Sequence, residues 1–174
     1  MLGGARSGKS RFALESVLPR TGVFVATAEA RDAEMATRIA RHRRERPRGW
    51  QTLEEPRELA RVLSDLAGRA DLVIVDCITL CVANRQLRGD SDEAILAEAD
   101  ALAGLIRSRP YDLALVSNEV GEGVHPETAV GLRFRDLLGS VNQRLAAGCD
   151  RVVLMVAGVP LTIKHVNDLR PLHE

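Results

Sequence analysis

The sequence predicts an α/β fold in which a mostly parallel sheet is covered by helices and carries a phosphate-binding loop. Three observations point there. Four short runs rich in β-branched residues are apolar almost throughout, as expected of strands buried on both faces. Helix-period stretches alternate with them, the pattern of βαβ units in a doubly wound sheet. A glycine-rich octapeptide opens the first helical stretch.

The strands are Val23–Ala26, Leu72–Val75, Leu113–Val116 and Val152–Val156. The helical stretches run from Lys9 to Leu18, from Ala33 to about Glu45, from Pro56 to Ala67, from Asp92 to Arg107 and from Thr128 to Ala147. In the third, Leu59, Val62, Leu63 and Leu66 share one face. In the fourth, Ile95, Leu96, Ala99, Leu102, Leu105 and Ile106 do. No linker rich in Pro, Gly or Ser divides the chain, so residues 1–174 are expected to form a single nucleotide-binding domain. Its polar segment 165–174, with Pro171, is expected to be a loose tail.

Composition narrows the function. The 174 residues are 45% hydrophobic and only 3% aromatic, which predicts an aliphatic core. With 24 basic residues against 24 acidic ones, the chain has no net charge, which argues against a general nucleic-acid binder. No run reaches the roughly 20 apolar residues of a membrane span, and no signal-peptide core follows Met1. Cys77, Cys81 and Cys149 form no CxxC pair and read as reduced thiols, which suits a cytoplasmic protein.

The octapeptide Gly3-Gly4-Ala5-Arg6-Ser7-Gly8-Lys9-Ser10 matches G-x-x-x-x-G-K-[ST] at every fixed position. Its glycines let backbone N–H groups wrap phosphates, and the following helix aims its positive end at them. Lys9 is expected to reach the β- and γ-phosphates, and the Ser10 hydroxyl to ligate Mg²⁺. Only Met1 and Leu2 precede Gly3, whereas such a loop follows a buried strand. The first strand is therefore expected to be truncated, leaving a groove between its neighbours, and further apolar residues are expected upstream. Asp76, closing the strand Leu72–Val75, is the natural second Mg²⁺ ligand; the alternative is that it caps the helix starting near Ile78.

Residues 38–48 place six arginines around His42. A solvated face and a nucleic-acid patch are the plain readings of such a run. Beside a phosphate-binding loop, a polyphosphate clamp competes with them, because guanidinium forks match phosphate oxygens in pairs. Like-charge repulsion also favours the neutral, nucleophilic form of a histidine among cations, so covalent catalysis at phosphorus by His42 is chemically reasonable.

With these stretches in hand, the chain resembles the adenosylcobinamide kinase / adenosylcobinamide-phosphate guanylyltransferase family of cobalamin biosynthesis, from Gly3 to about Lys164. The residues that carry the resemblance are the octapeptide, Val25-Ala26-Thr27-Ala28, and Asp32, Glu34, Met35, Arg38 and Ile39. They continue with His42, Arg43, Arg46, Pro47, Trp50, Thr52 and Glu54, then Asp76-Cys77-Ile78-Thr79. Ser117-Asn118-Glu119-Val120-Gly121 with Gly123, Val124 and Pro126, and Phe134-Arg135-Asp136 with Gly139, Asn142 and Gln143, complete them.

The resemblance implies a P-loop, RecA-like three-layer sandwich, a homotrimer, and a bifunctional cytoplasmic enzyme. Such an enzyme phosphorylates adenosylcobinamide with ATP or GTP, then passes GMP from GTP through a histidine onto that phosphate, giving adenosylcobinamide-GDP. It implies His42 as the guanylylated residue. Position 41 is Arg where some relatives have a second histidine, so His42 is the only candidate. It further implies nucleotide contacts at Ala26, Thr27, Ala28, Arg43, Arg44, Glu45, Arg46, Glu54 and Asp76.

Other roles stay open. Glu54 could touch base or ribose, or orient His42. Asn118 and Glu119 are candidates for substrate or metal contact, against simple turn chemistry before Gly121 and Gly123. His125 reads as solvated; Phe134, Arg135, Asp136, Asn142 and Gln143 read first as packing and subunit contacts. Trp50 could cover a ligand ring or plug the core. The competing functions are a simple small-molecule kinase with no covalent intermediate, and a nucleotide-dependent switch. Against a GTPase switch, the chain has no Asn-Lys-x-Asp motif.

Overall fold

A computed structural model describes residues 1–44, 48–123 and 125–166, apart from the side chains of Arg38 and His42. The elements in chain order are β1 (Leu2–Gly3), α1 (Lys9–Glu15), β2 (Val23–Ala26), α2 (Ala33–Arg44), β3 (Gln51–Glu54), α3 (Leu59–Asp65) and β4 (Leu72–Asp76). They continue with α4 (Ile78–Arg88), α5 (Asp92–Ser108), β5 (Asp112–Val116), α6 (Ala129–Gly148), β6 (Arg151–Val156) and β7 (Val159–His165).

β3, β2, β4 and β5 lie side by side in that order, all parallel, and β1, β6 and β7 form a second group. The first residues of the chain join the two groups. The Met1 amino group donates to Leu115 O at 2.6 Å, Ser117 N donates to Met1 O at 2.9 Å, and Glu119 N donates to Gly3 O at 3.0 Å. The sheet therefore runs β3-β2-β4-β5-β1-β6-β7. Only β7, reached through the tight turn at Ala157 and Gly158, is antiparallel.

The period-2 alternation of the strands separates two apolar layers. Val23 and Val25 of β2 with Val73 and Val75 of β4 face α3, α4, α5 and α6, where Leu59, Leu63, Ile78, Ile95, Leu138 and Val141 are buried. Phe24 and Ile74 point the other way, onto Ala13 of α1 and the indole of Trp50. Trp50 thus plugs a core, and its buried Nε1 has no partner among the described residues. Burying a side chain such as Leu63 or Ile74 is worth about 1.5–3 kcal/mol, so these two layers hold the sheet.

Two expectations need correction. The polar Gln51–Glu54 is a strand, although it has no apolar run to announce it, because it lies at the sheet edge, where Thr52 and Glu54 reach solvent. The chain from Val159 to His165 is also a strand that no expected element covered, so His165 belongs to β7 rather than to the loose tail expected from residue 165; Pro160 is tolerated there because β7 is the opposite edge. Residues 167–174 of the expected tail lie outside the described residues. β1 is two residues long, as expected, and a small cavity of about 40 Å³ lies against Met1 and Leu2, walled by Leu115, Leu145, Cys149 and Val152. Among the described residues no helix is long and apolar enough to cross a membrane.

Candidate functional site

The loop between β1 and α1 has the backbone its sequence requires. Gly3 has φ +144°, and a Cβ there would sit 2.5 Å from Met155 O, so only glycine lets β1 pass β6 at this point. Gly8, the residue before α1, has φ +94°. Arg6 also adopts the left-handed region, with φ +58°. The turn between β6 and β7 supports the loop from the side, since Gly158 N donates to Ser7 O at 3.1 Å. Ser7 and Lys9 are nearly buried, and Lys9 Nζ donates to Gly4 O at 2.6 Å and lies 3.4 Å from Ser7 Oγ. The ammonium is thus folded back over its own loop, at the mouth of a helix N-terminus suited to phosphate.

Asp76 ends β4, paired with Ala26 of β2 on one side and Val116 of β5 on the other. The N-cap of α4 is Cys77 rather than Asp76, so the capping alternative is not realised. Among the described residues the Asp76 carboxylate and the Ser10 hydroxyl take part in no hydrogen bond. The Cys77 thiol is pushed up to about 11, chiefly by burial and then by the neighbouring Asp76, which makes it inert.

Thr27 is fully buried and its hydroxyl works in both directions. It donates to Cys77 O at 2.7 Å and accepts from Cys77 N at 2.8 Å. The side chain therefore clasps the ends of β2 and β4 together, while Ala26 O accepts from Glu55 N at 2.9 Å. Asn84 continues the clasp. Its Nδ2 donates to Thr27 O at 2.8 Å and to Pro56 O at 3.1 Å, while its Oδ1 accepts from Arg31 at 3.1 Å. Glu29 holds Arg31 and Arg57 at 2.7 and 2.5 Å. Sequence reasoning missed Asn84; the available signal is an amide directly after the apolar run Leu80-Cys81-Val82-Ala83.

The arginine-rich segment rides on α2. The Asp32 side chain caps the helix by accepting from Met35 N at 2.7 Å. Arg43 is ion-paired with Glu54 at the end of β3, and this joins two of the expected nucleotide contacts. Arg44 is exposed, and its Nε is 3.4 Å from Ala40 O. The backbone of His42 lies in the last turn of α2, but its side chain, like Glu45 and Arg46, is outside the described residues. Pro47, expected to end this helix, is outside them too.

A second buried polar cluster lies under the loop. Ser117 Oγ donates to Asn142 Oδ1 at 2.7 Å and lies 3.3 Å from Thr79 Oγ1. Asn118 N donates to Thr79 Oγ1 at 2.6 Å, and Asn142 Nδ2 donates to Asn118 O at 3.0 Å. Asn142 is thus a packing residue, as read, with the specific task of fixing Asn118. His125 Nδ1 accepts from Arg135 at 2.8 Å and is exposed.

Comparison with known proteins places this geometry. The profile of the CobU family, described as cobinamide kinase / cobinamide phosphate guanyltransferase, matches residues 1–163. The bifunctional adenosylcobalamin biosynthesis protein CobP of Pseudomonas aeruginosa is 42% identical over 167 residues, covering 94% of this chain and 95% of its own. The bifunctional adenosylcobalamin biosynthesis proteins CobU of Escherichia coli and Salmonella typhimurium are 38% and 39% identical, each covering 93% of this chain and 97% of their own.

Proposed function

The chain belongs to the cobinamide kinase / cobinamide phosphate guanyltransferase family, and from that premise we propose how its own residues divide the two activities. It is an enzyme of adenosylcobalamin biosynthesis that acts on small molecules, first as a kinase and then as a guanylyltransferase. The observation that carries the division is that one chain holds a loop built for phosphates and, separately, an arginine-rich helix bearing His42.

In the first step the loop residues Gly3, Gly4, Ala5, Arg6, Ser7 and Gly8 cradle the phosphates of ATP or GTP, and Lys9 leaves its resting contact with Gly4 O to meet them. The acceptor is a hydroxyl of adenosylcobinamide. Ser10 and Asp76 are hard oxygen donors with no protein hydrogen bond among the described residues, which fits Mg²⁺. When bound, that ion neutralises charge on the triphosphate. In the second step His42 attacks the α-phosphate of GTP and pyrophosphate leaves. GMP then passes from the imidazole to the corrinoid phosphate. Arg43, Arg44, Glu45 and Arg46, which follow His42 in the sequence, are the nucleotide contacts of that exchange, with Arg43 held by Glu54.

The assembly proposed is a homotrimer in the cytoplasm. Its support is the exposed aliphatic row Val159, Leu161 and Ile163 on β7, continued by Val156 on β6. Leu161→Lys then yields smaller particles by analytical ultracentrifugation, and an unchanged mass counts against this surface.

The function is tested by incubating the protein with adenosylcobinamide, GTP and Mg²⁺ and following the corrinoid by mass spectrometry. Adenosylcobinamide phosphate is expected first and adenosylcobinamide-GDP second. A reaction that halts at the phosphate indicates a simple kinase with no nucleotidyl transfer.

A further inference from the structure

We propose that Glu119 is the general base of the phosphorylation step, taking the proton of the attacking corrinoid hydroxyl. The inference rests on the kinase reading above and adds a residue to it.

The placement comes from the sheet order. β5 lies between β4 and β1, so the carboxyl end of β5 sits between Asp76 and the phosphate loop. Residues 117–119 run along β1 as far as its last residue, where Glu119 N donates to Gly3 O at 3.0 Å. The acid is thus fixed beside the first glycine of the loop that grips the transferable phosphate. Ligands of open α/β sheets bind outside these carboxyl ends.

This position is held unusually firmly. The buried cluster of Thr79, Ser117 and Asn142, all under 8% exposed, pins the backbone of Asn118 through both its N–H and its carbonyl. A buried polar network costs stability unless every member is satisfied, so its presence directly under Asn118 and Glu119 argues that their placement matters. Glu119 itself is half-buried, and Oε1 accepts from Gly121 N at 3.0 Å.

The other acids at this edge are occupied. Glu29 is paired with Arg31 and Arg57, and Glu54 with Arg43. Glu55 is paired with Arg61 and also accepts from the backbone N–H groups of Arg57 and Glu58, and Asp76 stands on the metal side. Cys77, which follows Asp76, is buried and protonated. Among the described residues Glu119 pairs with no cation, a property it shares with Asp76, and its backbone bonds directly to the first glycine of the loop.

The step balances. The corrinoid hydroxyl oxygen forms a bond to the γ-phosphorus as its O–H bond breaks and the proton passes to the Glu119 carboxylate. The bond from the γ-phosphorus to the bridging oxygen breaks, and its electron pair departs with the nucleoside diphosphate.

The test is Glu119→Gln beside the wild-type enzyme, with γ-labelled ATP, adenosylcobinamide and Mg²⁺. The expected result is a kcat for phosphorylation lower by about 10²–10⁴-fold, loss of the acidic limb of the pH–rate profile, and an unchanged Kd for nucleotide. Phosphorylation at the wild-type rate overturns the proposal, and so does a defect that extra Mg²⁺ restores, since that marks a metal ligand. A variant that melts earlier or loses nucleotide affinity is replaced by Glu119→Asp, for which a slower rate with a retained acidic limb is expected; an unaltered rate overturns the proposal. If the wild-type protein itself phosphorylates no corrinoid, it is the kinase reading that fails.

Discussion

The phosphate loop and the arginine-rich helix, to which the two activities are assigned in the proposal above, are built in opposite ways. The loop grows out of the core. Lys9 and Ser7 are nearly buried, Ala13 of α1 is fully so, and the flanking turn at Gly158 and the segment at Glu119 both bond to it. In α2 no described residue is buried, and it contributes to neither apolar layer. Its described ties are polar, such as the Arg43–Glu54 pair at its end. Exposed ion pairs contribute little, so α2 can open at a small fraction of the free energy needed to disturb the loop. The difference teaches that a phosphate grip must be pre-organised. In the proposed mechanism, a nucleophile that takes GMP from one partner and gives it to another gains from a looser mount.

The sharpest way to break the comparison is at Lys9. Lys9→Ala should lower the rate of phosphorylation by at least about 10²–10³-fold, as removal of one preorganised donor does, with little change in fold. Steady-state rates alongside a melting curve check this; a mild defect would mean the loop is less decisive than its burial suggests. Next come the two isoleucines. Ile74→Ala, in fully buried β4, should cost about 2–5 kcal/mol in urea unfolding, whereas Ile39→Ala in α2 should cost under about 1 kcal/mol. Equal costs would show that α2 is packed as tightly as the sheet.

The smallest effect is electrostatic and lies at the end of α4. Hydrogen bonds from Arg88 hold the Asp90 carboxyl below the ordinary carboxylate range. A lowered folded-state pKa means the pair adds stability above the unfolded value and loses it as pH falls through the folded value. Acid unfolding followed by circular dichroism should therefore show Asp90→Asn losing less on acidification than wild type. An identical acid dependence would show that the pair contributes nothing.

The contrast also explains what the sequence could reveal. The inner strands were legible because burial on both faces demands continuous apolar runs such as Leu72-Val73-Ile74-Val75. The loop was legible because its steric and electrostatic demands fix residue types at fixed spacing. The edges β3 and β7 were not, since each lacks a neighbour on one side and so carries residues such as Gln51 and Thr162 that read as loop. Asn84 and the Thr79–Ser117–Asn142 cluster were also hidden. Their partners are backbone groups and side chains 24–57 positions away, and no local pattern records such a contact. Asp76 was read correctly as a strand end, but only the strand order showed that β5 stands between it and the loop.

The central claim is that the two activities reside on separate parts of one chain, with His42 as the covalent carrier. It is tested most directly with GTP labelled at the α-phosphate, Mg²⁺ and no corrinoid. After denaturation, wild type should retain label in an acid-labile, base-stable bond, and His42→Ala should retain none while still phosphorylating adenosylcobinamide. Label that persists in the variant, or is absent from a folded wild type that phosphorylates its corrinoid, would contradict the account.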